Sequence, residues 1–185
     1  VNIQERLGLT FVIVTHDQEE AMTMSTRLAV MDEGRIVQMG EPRAVYETPE
    51  TRYVAEFIGD VNILEGRVED AATGRVALDT GARAELGEGR AGLAAGRVEL
   101  ALRPEKIAIA TRGEDAAPPA ANALDGVVED IAYLGDMSVY HVRLTSGGIV
   151  RVARTNRMRA LEQPITWETP VRLDWDPISV VVLRR

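Results

Sequence analysis

Beyond residue 61 the sequence consists of short stretches in which apolar and polar residues alternate, with turn residues between them. Alternation with a period of two indicates strands that bury one face, and short strands at regular spacing are typical of antiparallel barrels and sandwiches. The larger part of the chain is therefore expected to be all β. The predicted strands lie at residues 63–70, 76–78, 98–102, 127–133, 139–144, 149–153, 171–175 and 179–183.

Two stretches interrupt this alternation. Residues 82–96 are rich in Ala, Gly, Arg and Glu, and we expect them to be mostly loop. Residues 111–123 contain two adjacent prolines, which favour a connector between two halves of the β region.

The first 60 residues follow the pattern of an α/β protein. Ile3 and Leu7 stand four residues apart and predict the last turns of an amphipathic helix. The continuous apolar run at residues 10–14 predicts a strand buried on both faces. Asp17 with Glu20 three residues later resembles a capping box and predicts a helix over residues 18–26.

A hairpin and two further helices are predicted next. Gly34 supplies the positive φ of a tight turn between the apolar stretches at 28–31 and 35–39. Pro42 and Pro49 predict helices over residues 43–48 and 51–58. The chain is therefore expected to be α+β, with residues 1–60 and 61–185 as separate domains.

Composition excludes several kinds of protein. The 185 residues carry a net charge of -8 and no cysteine, which excludes a disulfide framework, a thiolate zinc cluster and a cysteine nucleophile. An acidic chain with 4% aromatic residues argues against nucleic-acid binding, because that function needs basic grooves and stacking rings. No apolar run approaches the roughly 18 residues that span a bilayer.

His16 is the candidate site residue. It follows the predicted strand and precedes the predicted helix, at the edge where open α/β sheets bind ligands. An imidazole there can donate to an anion that the helix N-terminus also attracts. It can equally satisfy a backbone carbonyl at the strand end, and position alone favours neither interpretation.

The residues around His16 resemble a known family. The sequence Val-Thr-His-Asp-Gln-Glu-Glu-Ala-Met at 14–22 resembles the switch-histidine region of ABC-transporter ATPase subunits, and the likeness continues to residue 60. Leu-Arg-Pro-Glu-Lys-Ile at 102–107 resembles the TOBE domain of importers, and residues 131–144 and 175–183 resemble polyamine importer ATPases. The resemblance implies the tail of an α/β ABC ATPase domain followed by an all-β OB-like (TOBE) barrel.

For His16 the resemblance implies a hydrogen bond to the γ-phosphate of ATP and a part in positioning the attacking water. It also implies ATP and Mg²⁺ as cofactors of the complete subunit, a homodimer, and transmembrane permease subunits as partners. The protein would lie on the cytoplasmic face of the bacterial cell membrane, and a small effector would bind the TOBE domain. Asp17 and Glu20 would serve as helix caps, and no metal site is predicted.

The sequence departs from the family because several ATPase motifs are missing. The 185 residues contain no Gly-x-x-x-x-Gly-Lys-Ser/Thr loop to hold phosphates, and no signature or Walker B motif. By itself the chain is expected to be inactive. Two alternatives stay open: a non-catalytic TOBE-type module that binds a small ligand or partner, and the ATPase subunit of a sugar, iron or sulfate importer.

Other residues have structural interpretations. His141 alternates with apolar residues and is expected on a solvated or interface face. At least one of Trp167 and Trp175 is expected to fill the core. The arginines at 151, 154, 157 and 159 indicate a solvated face, or a site for an anion or an acidic partner. The edges of the predicted strand at 10–14 favour pairing with a second copy of the chain.

Overall fold

The computed structural model describes residues 8–87, 93–112, 121–156 and 165–184. The predictions for residues 3–7, for the prolines of the connector, and for Arg157 and Arg159 lie outside these ranges. The chain divides into two compact units, with the boundary between Gly59 and Asp60. Each unit has an apolar core of its own.

The first unit, up to Gly59, combines a hairpin with three short helices. Helix α1 spans Gln18–Met24, strands β1 and β2 span Leu28–Asp32 and Arg35–Gly40, and helices α2 and α3 span Pro42–Glu47 and Arg52–Phe57. Gly34 has a φ of 76° in the hairpin turn, as predicted. The core consists of Val30, Val45, Val54 and Ile58, so β1, α2 and α3 pack against one another.

The strand predicted at residues 10–14 is not formed. Within the described ranges none of the sheets includes this segment, and Val12 and Val14 are 88% and 95% exposed. A strand needs neighbours that satisfy its backbone N–H and C=O groups. Because this segment has no such neighbour, the expectation of a strand buried on both faces is wrong for this chain. Its pairing with a second copy stays a prediction.

The second unit, from Asp60 onward, contains two five-stranded antiparallel sheets. Its strands are β3 Asn62–Asp70, β4 Arg75–Leu78, β5 Arg83–Glu85, β6 Arg97–Leu102, β7 Ile107–Thr111, β8 Asn122–Tyr133, β9 Met137–Leu144, β10 Ile149–Thr155, β11 Pro170–Trp175 and β12 Val180–Leu183. The first sheet has the order β12-β6-β3-β4-β5 and the second the order β10-β9-β8-β11-β7. The predicted α+β class with a larger all-β unit is confirmed. Strand β5, in the expected loop, and strand β7 were not predicted.

The second unit is built from two repeats of one strand arrangement. In the first repeat β3 lies between β4 and β6, and in the second β8 lies between β9 and β11. Short 3₁₀ helices, Pro104–Lys106 and Pro177–Ser179, then lead into β7 and β12. These last strands are exchanged, because β7 pairs with β11 and β12 pairs with β6. The exchange ties the two sheets together.

An asparagine at the start of each repeat also links the sheets. The Nδ2 of Asn122 donates to the carbonyl oxygen of Glu85 at 2.8 Å, and its Oδ1 accepts from the Glu85 N–H. Asn62 makes the same pair of hydrogen bonds to the backbone of Arg151, both at 2.8 Å. Glu85 and Arg151 lie in the edge strands β5 and β10. Each asparagine therefore occupies backbone groups that an edge strand would otherwise expose.

One apolar core runs through the second unit. It includes Tyr140 and Val142, which are 1% and 0% exposed, as their alternation with His141 predicted. Trp175 is 4% exposed and belongs to this core, whereas Trp167 is 66% exposed. The expectation that at least one tryptophan fills the core is confirmed.

Candidate functional site

His16 is exposed, in the bend between the unpaired segment at residues 10–14 and helix α1. Asp17 caps this helix as predicted, because its Oδ1 accepts from the N–H of Glu20 at 3.0 Å. The N–H of Asp17 in turn donates to Thr15 Oγ1 at 3.0 Å. These local hydrogen bonds fix the backbone on the helix side of His16. Its exposed imidazole can donate a hydrogen bond to an anion.

The surroundings of His16 supply only part of an anion site. Glu19 and Glu20 lie in the first turn of α1. Their charges complement the helix dipole but oppose an anion at the same end. The phosphate-binding loop with its lysine is not among the 185 residues. Because the expected strand is not formed, His16 also does not lie at a sheet edge in this chain.

A second candidate is a groove of about 500 Å³ in the second unit. Equivalent turns of the two repeats line it, with residues 79–80 between β4 and β5 and residues 146–148 between β9 and β10. Ile63 and Ile149 add apolar surface. The Oγ1 of Thr80 is buried without a hydrogen-bond partner in the described part of the chain. Thr80 therefore contributes to the wall of the groove, with its hydroxyl oxygen covered by protein.

Acidic side chains determine the charge of this groove. Glu65 and Asp79 line it, and Arg97 Nη2 forms ion pairs with both, at 3.2 Å from Glu65 Oε2. The hydrogen bond with Asp79, and then the charge of Asp79 and the hydrogen bond with Glu65, hold the pKa of Arg97 above its ordinary value. Both charged side chains that line the groove are carboxylates, which favours a cationic ligand.

The remaining candidate residues have other roles. His141 lies on the partly exposed face of β9, with its Nδ1 3.6 Å from Asp130 Oδ2. Arg151 lies on the partly exposed face of β10, and its guanidinium binds Asp60 and the carbonyl oxygen of Val61. In the ranges that the structure describes, no cluster of three or more His, Asp or Glu side chains is arranged for a metal ion. None of the helices in those ranges is long and apolar enough to cross a lipid bilayer.

Comparisons with known sequences place these features in context. Residues 100–183 match the TOBE domain family. The chain is 45% identical to the putrescine transport ATP-binding protein PotG of Escherichia coli, over 99% of this chain and 48% of that protein. It is 41% identical to the spermidine/putrescine import ATP-binding protein PotA of Rubrobacter xylanophilus, over 98% of this chain and 47% of that protein. The chain thus spans about half the length of these relatives.

A solved structure shares the fold of part of this chain. The cytoplasmic molybdate-binding protein ModG, with molybdate bound, superposes with a TM-score of 0.55 at 17% sequence identity. The match covers 65% of this chain and 94% of that protein. At this identity the likeness concerns the fold alone.

Proposed function

We propose that this chain is the C-terminal part of the ATP-binding subunit of a polyamine ABC importer, and that the complete subunit hydrolyses ATP to import putrescine or spermidine. The observation that carries this proposal is the 45% identity to a putrescine transport protein over 99% of the chain. A relative from Rubrobacter xylanophilus whose name specifies spermidine and putrescine supports polyamine cargo over sugar, iron or sulfate.

In this proposal His16 acts in the complete subunit, which uses ATP and Mg²⁺. Its exposed imidazole donates a hydrogen bond toward the terminal phosphate and holds the attacking water in place. Phosphoryl transfer depends on such positioning more than on covalent chemistry by the protein. Two copies close around the nucleotides, and transmembrane permease subunits receive the resulting movement at the cytoplasmic face of the membrane.

Uptake by the complete subunit tests this proposal directly. When it is expressed with its permease subunits in a bacterium that lacks polyamine importers, we expect saturable uptake of labelled putrescine that requires ATP. Labelled maltose, ferric iron and sulfate serve as matched controls, and their uptake should equal that of the same host without the expressed proteins. An increase in uptake of one of these, with no uptake of putrescine or spermidine, would reassign the cargo.

The groove at Thr80 favours a second candidate function, a TOBE-type module that binds a small effector. Its two lining carboxylates, Glu65 and Asp79, support a short cationic ligand. By calorimetry on the 185-residue chain we expect putrescine or spermidine to bind and molybdate and maltose not to. Asp79→Asn should weaken binding by about tenfold, the usual effect of losing one charged hydrogen bond, and Glu129→Gln should not change it. Equal affinity of both variants would place the ligand elsewhere.

A further inference from the structure

Residues 60–62, here termed the junction, open the second unit directly after the boundary between the units. Arg151 Nη1 donates to Asp60 Oδ1 at 2.6 Å, and its Nη2 donates to the carbonyl oxygen of Val61 at 2.9 Å. Arg103 Nη1 donates to the carbonyl oxygen of Asp60 at 3.0 Å. Two guanidinium groups therefore hold the same short segment.

The two arginines come from different sheets. Arg103 directly follows β6 of the first sheet, and Arg151 belongs to β10 of the second. Asn62 adds two hydrogen bonds to the backbone of Arg151. Arg103 is only 6% exposed, and a guanidinium at such depth requires acceptors. The junction thus joins both sheets at one place.

The repeats provide an internal comparison for both arginines. Asp176 occupies the position of Arg103 before the equivalent 3₁₀ helix, and it caps that helix by accepting from the Ile178 N–H at 2.9 Å. Arg103 forms no such cap. Glu85 takes the position of Arg151, since its backbone binds Asn122 as that of Arg151 binds Asn62. The same arrangement of strands therefore forms with Asp176 and Glu85 at these two positions, so it does not require arginine at either of them.

We propose that Arg103 and Arg151 are positioning residues that anchor the junction to both sheets, so that a displacement of the ATPase part is transmitted to the regulatory barrel as a whole. Both arginine side chains bind residues 60–61. The equivalent positions in the other repeat hold Asp176 and Glu85 instead of arginines. The transmission part of this proposal rests on the proposed function. The anchoring part concerns this chain alone.

Amide hydrogen exchange of the full 185-residue chain tests the anchoring. In the double variant Arg103→Met and Arg151→Met, which keeps long apolar stems, we expect exchange at residues 59–62 to accelerate by about tenfold or more, because local opening becomes easier. Strands β8 and β9 should exchange as in the wild type. Arg172→Met is the matched control, since it removes an arginine that binds Asp125 at 3.2 Å in the second sheet. Unchanged exchange at residues 59–62 in the double variant would overturn the proposal.

A coupling measurement separates positioning from a purely structural role. In the complete subunit with its permeases, we expect the double variant to transport at least about threefold less putrescine per ATP hydrolysed, while the isolated subunit hydrolyses ATP at the wild-type rate. Arg151→Lys, which keeps the charge and one hydrogen bond, should recover part of the ratio. An unchanged ratio would contradict transmission. Failure of the wild-type subunit to import polyamines would instead contradict the proposed function, and the exchange result would still decide the anchoring.

Discussion

Replacing Gly66 or Gly126 with alanine is expected to destabilise the second unit by about 3 kcal/mol, at the upper end of what overpacking costs in a closely packed interior. A Cβ atom at Gly66 would lie 2.4 Å from the carbonyl oxygen of Ala77, and one at Gly126 would lie 2.7 Å from that of Arg143. Both obstacles are backbone atoms of the adjacent strand, β4 or β9, which its ladder holds in register. Neither strand can yield without loss of hydrogen bonds.

Urea unfolding followed by tryptophan fluorescence measures this effect, because both tryptophans, Trp167 and Trp175, lie in the second unit. Gly40→Ala is the control for the specificity of this probe, since Gly40 lies in the first unit and its Cβ would meet only a Val45 methyl group at 3.4 Å. We expect that variant to stay within about 0.5 kcal/mol of the wild type. If the free energies of unfolding of Gly66→Ala and Gly126→Ala also lie within about 1 kcal/mol of the wild-type value, the strands in the two hairpins do not approach each other as closely as described.

The equivalence of these two glycines was visible in the sequence. Asn-Ile-Leu-Glu-Gly-Arg-Val-Glu at 62–69 and Asn-Ala-Leu-Asp-Gly-Val-Val-Glu at 122–129 share five of eight residues. The comparison identifies the buried glycine and the asparagine that reaches the opposite sheet. The exchange of β7 and β12 between the repeats leaves no such trace, because it depends on pairing between distant parts of the chain.

Strands were predictable where one face is buried. Strand β9 alternates between buried and partly exposed residues over its length up to Leu144, and this pattern is what a period of two describes. Strand β5 has only the three residues Arg83–Glu85, with Ala84 as its single buried side chain. Strand β7 buries Ile107 and leaves most of its length exposed. Such strands are specified by their neighbours rather than by their own sequence.

The candidate sites divide in the same way. The cap at Asp17 was predictable because its partner, Glu20, is three residues away. The exposure of residues 10–14 was not predictable, because an apolar run forms a buried strand only where neighbouring strands are present. The role of Arg151 escaped prediction because its partner Asp60 is 91 residues distant, and a run of arginines favours a solvated face by default.

Replacing His16 with alanine in the complete subunit is expected to lower ATP turnover by about 100-fold or more, the usual effect of removing a group that positions a proton or stabilises developing charge. His16 is exposed in this chain, so the substitution removes little packing and should change the free energy of unfolding by less than about 0.5 kcal/mol. Nucleotide affinity should change far less than turnover, because the phosphates are held by other groups. Putrescine uptake should fall in parallel with turnover.

The second histidine of the chain provides the matched control for this substitution. His141 lies on the partly exposed face of β9, in the unit that does not contain His16, so His141→Ala should leave ATP turnover within about twofold of the wild type. Steady-state phosphate release at saturating ATP measures both variants. If His16→Ala hydrolyses ATP as fast as His141→Ala, the imidazole does not take part in the reaction. The exposed side chain would then have no role beyond its place before the capped helix α1. The complete subunit would need a different group to position the attacking water.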